Sequence, residues 1–287
     1  MSSKTRLKPI RIDRKKLIAT DIIALVGILS VYVIPFYFIV VNSFKDRKAA
    51  GLMNLSWPET FHIIENYTEM MTTNNFAFWR GLANSGIITA GSIGIIIIVC
   101  SMAGYILHRR SKGKLMVFIN FIVLAGLIVP PSIMPTISVL KGLGVYRSLF
   151  GMILVEVALN VPFAIMLYRG YMMSVPREIE EAARVDGCGK FMLFFRVVFP
   201  LLLPVTATIA VITGVQIFND FTNPLYFLPG AENVTVQLTL FNFMGRYSNH
   251  WNMLFADVVL ITIPPLILFI ILNKKIVSGI TAGAIKG

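Results

Sequence analysis

Cysteine and histidine are scarce in this chain, and their scarcity narrows the possible functions. The two cysteines, Cys100 and Cys188, lie in an apolar run and in a basic linker, so no disulfide framework is expected. The three histidines show no metal-ligand spacing, and His250 alone does not indicate a metal. The chain also lacks a G-x-x-x-x-G-K-S/T phosphate loop and any recognisable catalytic triad. We therefore expect a chain that is not an enzyme and does not hydrolyse ATP itself.

Charged residues are also few, at 14% of the 287 residues, whereas 56% are hydrophobic. Because about 20 apolar helical residues cross a bilayer core, this composition predicts an all-α integral membrane protein with six transmembrane helices. Their predicted bounds are 17–41, 86–107, 115–140, 150–170, 201–221 and 254–273. The first run shows no cleavage pattern and is interpreted as a retained span. The predicted domains are an N-terminal tail (1–16), a transmembrane domain (17–273) and a C-terminal tail (274–287).

Acidic residues number 14 against 26 basic ones, and the formal net charge is +12. Nineteen of the 26 basic residues fall in the N-terminal tail, in the linkers after the second and fourth spans, and after the sixth. The positive-inside rule then places both termini in the cytoplasm. The charge is thus explained by topology, and we expect no nucleic-acid partner.

The linker between the fourth and fifth spans contains a short helix with recognisable ends. Pro176 suits its first turn, Glu180 and Arg184 are spaced for an i, i+4 ion pair, and Gly187 is a natural C-terminal stop. A basic aromatic strip over 190–199 follows, and it is typical of a helix lying along a membrane surface. From these residues alone, a plain solvated cytoplasmic loop is the alternative interpretation.

The same linker resembles the EAA loop of ATP-binding-cassette importer permeases. The match consists of Glu181-Ala182-Ala183, three residues, Gly187, nine residues and Val197-Val198-Phe199-Pro200. It departs from the family pattern only at Phe199, where leucine is usual, and at Cys188, where alanine is common. The resemblance implies that this helix docks in a groove of an ATPase subunit and carries its closing motion into the membrane. The implied coupling residues are Glu181, Ala182, Ala183, Asp186 and Gly187.

Further segments resemble the carbohydrate-uptake branch of that family, of the maltose and multiple-sugar type. They are Asn42-Ser43-Phe44-Lys45, Asn84-Ser85, Asn219-Asp220-Phe221 with Pro224-Leu225, and the ending from Ser278 to Gly287; Phe218 stands where this branch has tryptophan. The resemblance implies the six-span permease subunit of an ATP-driven, binding-protein-dependent importer of sugars, in particular oligosaccharides. It also implies alternating access, with the chain in a bacterial cytoplasmic membrane.

The resemblance implies partners as well. These are a second homologous permease, two ATP-binding-cassette ATPase subunits and an extracytoplasmic sugar-binding protein, with membrane lipid around the spans. ATP and magnesium belong to the ATPase subunits, and this chain is expected to bind no cofactor. The C-terminal tail is rich in glycine and alanine, which predicts a slim thread rather than a helix. By resemblance it reaches between the ATPases through Thr281, Ala282, Gly283, Lys286 and Gly287; a frayed terminus is the alternative.

The linker over 226–253 is long enough to suggest a function of its own. The resemblance implies that it faces the sugar-binding protein, with aromatic and amide groups suited to sugar rings and hydroxyls. The candidate contacts are Tyr247, Asn249, His250 and Trp251.

Polar groups inside the predicted spans are expensive in lipid and therefore indicate a cavity or a partner. Glu156 and Asn160 lie one turn apart in the fourth span. We interpret them as part of a sugar pathway with Gln216, Asn219 and Asp220, and Asp257 near the start of the sixth span is treated likewise. The alternative is a polar contact with the partner permease. In the maltose example the partner holds most of the sugar, so few direct contacts are expected here.

Three other functions are compatible with some of these features. The same architecture could import another organic solute such as glycerol phosphate, although the pathway candidates are acidic or amide rather than basic. A secondary transporter or channel would need an internal repeat with broken helices, and no repeat is recognisable. A membrane enzyme would need a catalytic constellation, which is missing.

Overall fold

The structure is a computed structural model that describes residues 14–110, 113–245 and 249–284, with side chains between residues 21 and 271 of those ranges. Over them the fold is helical and contains no β-strand, apart from one isolated bridge between Met244 and Asn249. This confirms the all-α prediction. The α-helices are α1 (Arg14–Ser43), α2 (Arg47–Gly51), α3 (Ile63–Arg109), α4 (Lys114–Ile128), α5 (Ile133–Gly142), α6 (Leu149–Tyr171), α7 (Arg177–Val185), α8 (Lys190–Met192), α9 (Phe199–Leu201), α10 (Leu203–Phe218), α11 (Thr222–Phe227) and α12 (Trp251–Ala284). Short 3-10 helices lie at Met172–Ser174 and Val236–Phe243, and Leu193–Val198 is π-helical.

Four helical segments of the described chain are long and apolar enough to cross a membrane: Asp21–Ser43, Ile63–Arg109, Leu149–Ser174 and Trp251–Ile271. A fifth would form if Lys190–Leu201 and Leu203–Phe218 act together, although these two are bent by 72°. The predicted span over 115–140 is not a single helix, because Pro130 and Pro131 lie between α4 and α5. A proline lacks the backbone N–H that a helix needs and restrains the residue before it, so the run breaks there.

The second predicted span, over 86–107, is the later part of a much longer helix. α3 begins at Ile63 and contains a break at residues 73–76, where Asn74, Asn75 and Phe76 have φ values of 51° to 57°. From Ala77 to Arg109 the helix is unbroken and, at about 1.5 Å per residue, about 50 Å long. That length exceeds the roughly 30 Å core of a bilayer. The two ends of α3 therefore belong to opposite ends of the helical bundle.

The core lies where α3 packs against α6, and α10 packs against both of these helices. Gly104 makes the closest approach: a Cβ at this position would lie 2.6 Å from the Cβ of Tyr168 and 3.1 Å from the backbone nitrogen of Arg169. Tyr168 is fully buried and donates a hydrogen bond of 2.9 Å to the hydroxyl of Thr206 on α10. A small residue on α3 thus brings three helices together, as is common in membrane bundles.

A buried polar cluster joins α1, α3 and α12 at the end of the bundle where α12 begins. We call it the Lys45 cluster; its members are Asn42, Ser43, Lys45, Asn54, Ser56, Asn66 and Asn252. Lys45 is 1% exposed, and its amino group donates to both oxygens of Asn54, at 2.7 Å and 3.0 Å, and to Asn42 Oδ1 at 3.1 Å. Burial lowers the pKa of Lys45 from its usual value. The Asn42–Lys45 signature therefore has a structural reason, which is to satisfy a buried turn after α1.

Replacing Lys45 by methionine is expected to destabilise the protein by about 2–3 kcal/mol, because the oxygens of Asn42 and Asn54 would lose a charged donor. A thermal melt in detergent should show a decrease of roughly 5 °C. Lys48 on α2 is exposed and provides the matched control. Lys48→Met should melt like the unaltered protein; an equal decrease for both variants would contradict the role of the Lys45 cluster.

The C-terminal segment differs from its prediction. α12 continues to Ala284, well past the expected span end at residue 273, so the backbone of Thr281, Ala282 and Gly283 is helical rather than a thread. Glycine opposes helix formation by only about 1 kcal/mol per residue, and the long apolar helix before it overrides that preference. Lys286 and Gly287 lie outside the described residues.

Candidate functional site

α7 is a short helix whose C-terminal end is closed by hydrogen bonds. Gly187 has φ of +82°, a conformation that glycine adopts at little cost. Its backbone nitrogen donates to Arg184 O at 3.1 Å, and that of Cys188 donates to Ala183 O at 3.0 Å. This pair of bonds is the Schellman motif. The glycine of the predicted coupling motif therefore ends the helix sharply, as expected, and Pro176 precedes its first turn at the N-cap position.

One side of α7 is exposed rather than packed against the described part of the chain, so we call it bare. Its exposed face consists of Glu178, Glu181, Ala182 and Val185, whose spacing places them on one side of the helix. Val185 is 87% exposed, and apolar side chains nearby are exposed as well, among them Ile179 and Phe191. Exposed apolar groups of this kind mark protein or membrane contacts. Of the other predicted coupling residues, Ala183 is half-buried, and Asp186 and Gly187 are exposed.

The opposite side of α7 is fastened to the last turn of α3. Glu180 is 3% exposed, and its Oε1 accepts from Arg109 Nε at 2.6 Å while its Oε2 accepts from the hydroxyl of Tyr105 at 2.8 Å. The predicted pair with Arg184 is present but longer, at 3.6 Å. Arg109 also donates to Val175 O at 2.9 Å, which ties down the approach to α7. We call Tyr105, Arg109 and Glu180 the Glu180 clamp.

Sequence reasoning missed the clamp. It assigned Arg109 to the basic excess of a cytoplasmic linker and paired Glu180 only with its neighbour Arg184. The one sequence signal is that Tyr105 and Arg109 share a face at the end of a helix. A contact between residues more than 70 positions apart depends on tertiary packing, which no local pattern contains.

The predicted pathway residues on α6 are buried. Glu156 and Asn160 are each 3% exposed, and the Asn160 side chain donates to Glu156 O at 2.9 Å. Glu156 Oε1 has no hydrogen-bond partner within the described part of the chain, and the carboxyl group of Asp220 lies beside that of Glu156. A buried carboxylate oxygen without a donor is costly unless something supplies one. This carboxylate could accept a hydrogen bond from a ligand hydroxyl or from a partner helix.

The pathway candidates at the end of α10 have different surroundings. Asp220 accepts from the backbone nitrogens of Thr222 and Asn223, at 3.0 Å and 3.2 Å, and so caps the start of α11. Asn219 lines a cavity of about 260 Å³ between the 3-10 helix at Val236–Phe243 and α12, and it accepts from Gln237 at 3.2 Å. Gln216 is exposed on α10. The structure therefore brings Glu156, Asn160 and Asp220 together and leaves Gln216 apart.

Asp257 on α12 is fully buried. Its Oδ2 accepts from Thr239 Oγ1 at 2.8 Å, whereas no partner reaches its Oδ1 among the residues described. The bond holds the 3-10 helix against α12. This contact gives Asp257 a structural role that its position in the sequence did not indicate.

Residues 228–250, which we call the loop segment, are anchored to α3. The side chain of Asn84 donates to Val234 O at 2.9 Å, and Ser85 Oγ accepts from the nitrogen of Val236 at 3.0 Å. A Cβ at Gly81 would approach that nitrogen to 3.0 Å, so a glycine permits the close contact. The Asn84-Ser85 signature thus fixes the loop segment at the end of α3 opposite the clamp.

The candidate contact residues of the loop segment lie next to α12. Asn249 pairs with Met244, and its carbonyl accepts from Arg47 Nε at 3.3 Å. His250 and Trp251 are half-buried, and the indole of Trp251 packs against Phe255. Tyr247 lies outside the described residues. Among the residues that are described, no group of three His, Cys, Asp or Glu side chains could hold a metal.

Membrane-length apolar helices packed in a bundle, with an exposed helix clamped at one end, define the chain as a multi-pass membrane protein. The family model described as "Binding-protein-dependent transport system inner membrane component" matches residues 96–282. The chain belongs to this family, which confirms the membership indicated by the Glu181-Ala182-Ala183 motif.

Individual relatives agree with the family match. The chain is 32% identical over 261 residues to the melibiose/raffinose/stachyose import permease protein MelC of Bacillus subtilis (strain 168), covering 88% of this chain and 91% of MelC. It is 28% identical over 269 residues to the diacetylchitobiose uptake system permease protein DasC of Streptomyces coelicolor, covering 93% and 95%. A solved bacterial ABC transporter involved in alginate import matches with a TM-score of 0.78 at 20% identity, covering 93% of this chain and 99% of that one. This structural match supports the fold.

Proposed function

We propose that this chain is a transmembrane permease subunit of an ATP-driven, binding-protein-dependent importer of oligosaccharides, working by alternating access. The observation that carries the proposal is the family match together with relatives named for import of melibiose, raffinose, stachyose and diacetylchitobiose. The bare face of α7 supports it, because a permease that does not hydrolyse ATP needs a surface for the subunit that does.

The proposed topology has six spans in a bacterial cytoplasmic membrane, with both termini and α7 in the cytoplasm. α4 and α5 together supply the third span, because α4 alone is 15 residues and about 22 Å long. The bent pair over 190–218 supplies the fifth span. The loop segment then lies outside, where Asn249, His250 and Trp251 can meet a sugar-binding protein. The excess of basic residues in the tails and in the linkers beside α7 supports this orientation.

The proposed partners are a second permease, two ATPase subunits and the sugar-binding protein, with ATP and magnesium held by the ATPases. The exposed face of α7 would dock in a groove of the ATPase, where Ala182 permits close approach and Glu181 can pair with a cation. Closure of the ATPases would then push α7 and switch the pathway from inward-facing to outward-facing. The C-terminal residues Thr281–Gly287 would contact the ATPases as well.

The partner proposal is tested by purifying the chain from its native membrane in a mild detergent, with a cross-linker added to hold the C-terminal contact, and identifying its companions by mass spectrometry. Recovery of a second permease, an ATPase with a phosphate loop and a sugar-binding protein is expected. Recovery of the chain alone, from conditions that keep other transporters intact, would contradict the proposal and favour a channel or secondary carrier.

Glu156, Asn160 and Asn219 are proposed to line the sugar pathway, with Asp220 beside Glu156. Glu156→Gln keeps the size of the side chain and replaces one carboxyl oxygen by an NH2 group, which donates but does not accept, so a sugar hydroxyl bound to that oxygen would lose its acceptor. Uptake should decrease roughly tenfold with the complex still assembled. Glu59→Gln, an exposed carboxylate away from the pathway, is the control and should transport normally. Normal uptake by Glu156→Gln would instead assign Glu156 to a contact with the partner permease.

A further inference from the structure

The Glu180 clamp is a buried, hydrogen-bonded contact rather than an exposed surface ion pair. The Glu180 carboxylate is almost fully buried and uses both oxygens, one toward Arg109 and one toward Tyr105. The side chain of Arg109 is only 12% exposed, and its guanidinium donates hydrogen bonds both to Glu180 and to the carbonyl of Val175. A buried guanidinium with several fixed acceptors holds one geometry, whereas exposed pairs shift freely.

The covalent route from α7 to the rest of the bundle is less direct. It leaves α7 through Gly187 and Gly189, passes the π-helical turn at Leu193–Val198, and bends by 72° before α10. A displacement of α7 along this route would have to change direction at the bend before it reaches α10. The clamp, by contrast, joins α7 directly to the last turn of α3.

α3 continues from the clamp to the loop segment without a break. Its only non-helical residues, 73–76, precede this stretch, and no proline lies within it. About 30–38 Å along the helix from the clamp, Asn84 and Ser85 hold the backbone at Val234 and Val236. A single unbroken helix therefore contacts α7 near one end and the loop segment near the other.

We propose that α3 is the element that transmits movement between the ATPase side and the binding-protein side, and that Glu180, Arg109 and Tyr105 are the positioning residues that engage it. This inference rests on the proposed function, because it assumes an ATPase at α7 and a binding protein at the loop segment. It adds that the signal passes through the buried Glu180 and through α3, and that the exposed Glu181 serves docking alone. Docking of the sugar-loaded binding protein on the loop segment would then stimulate ATP hydrolysis on the cytoplasmic side through movement of α3.

The test measures ATPase activity of the complete complex in lipid vesicles, with and without its binding protein loaded from a mixture of raffinose, stachyose and diacetylchitobiose. The variant is Arg109→Ala and the matched control is Arg110→Ala, since Arg110 is the next residue and is exposed. We expect Arg109→Ala to assemble and keep its basal ATPase rate, while its stimulation by the binding protein decreases by roughly tenfold, within the range typical of coupling between sites. Arg110→Ala should be stimulated like the unaltered complex.

Two further variants keep the outcome decisive. If Arg109→Ala does not assemble, Tyr105→Phe removes one hydrogen bond from the clamp and should lower stimulation several-fold without emptying the core. The exchange Arg109→Glu with Glu180→Arg should recover part of the lost stimulation, which a merely disturbed fold would not do.

Normal stimulation in both Arg109→Ala and Tyr105→Phe would overturn the role of the clamp while leaving the proposed function intact. Absence of stimulation in the unaltered complex would instead contradict the proposed function, and the inference with it.

Discussion

Replacing Glu181 by lysine is expected to reduce sugar uptake by about 100-fold or more while leaving the fold intact. Under the proposed function, the exposed face of α7 lies in an ATPase groove, and a lysine there would oppose a cation that Glu181 pairs with. Like charges facing each other at an interface cost several kcal/mol. The fold should tolerate the change because Glu181 is exposed, and surface substitutions usually alter stability by less than about 0.5 kcal/mol.

The measurement compares uptake of labelled oligosaccharide in cells with the ATPase activity of the purified complex. The control is Glu59→Lys, which makes the same change of charge at an exposed position far from α7. Glu181→Lys should lose uptake and retain a normal yield of folded permease, whereas Glu59→Lys should retain both. Uptake at the normal rate by Glu181→Lys would remove the docking role of this face.

Replacing Gly104 by valine is expected to reduce the yield of folded protein by roughly tenfold. The added Cβ would lie 2.6 Å from the Cβ of Tyr168 and 3.3 Å from the carbonyl oxygen of Ile165. Part of this obstacle is backbone of α6, so the two helices would have to separate. Overpacking a core typically costs about 1–3 kcal/mol, and here the shift would also weaken the bond from Tyr168 to Thr206.

Gly94 lies on the same helix and provides a matched control. A Cβ at Gly94 meets nothing within 4 Å, so Gly94→Val introduces the same residue without a clash. Size-exclusion chromatography of fluorescently tagged protein in detergent measures the folded fraction of each variant. We expect an aggregated profile for Gly104→Val and a sharp peak for Gly94→Val. Equal profiles would show that α3 and α6 do not need the close approach.

Local chemistry made the helix α7 predictable from the sequence. Gly187 needs a left-handed backbone, and the Glu180–Arg184 spacing needs a helix, so both could be identified without tertiary information. The break between α4 and α5 was also present in the sequence, as Pro130-Pro131. Average hydropathy does not register it, because both prolines lie inside an apolar run.

The start of α3 at Ile63 and the burial of Glu180 could not be predicted in the same way. The stretch from Ile63 to Phe76 is polar, and a search for apolar runs begins only after it. Its helical state depends on contacts with other elements, such as the bonds from Asn66 to the carbonyls of Ser43 and Lys45. Likewise, Glu180 and Glu181 are adjacent and chemically identical. Only packing against Tyr105 and Arg109 decides that the first is buried and the second is exposed.

The chain's two cysteines differ in one practical respect. Cys100 is fully buried against α6, whereas Cys188 is half-buried directly after the glycine that ends α7. A thiol-reactive fluorophore therefore has a single accessible target in the folded protein, at the edge of the surface where α7 is bare. A fluorophore attached to Cys188 can therefore report the binding of partner subunits through a change in its emission. No cysteine has to be introduced by mutation for this measurement.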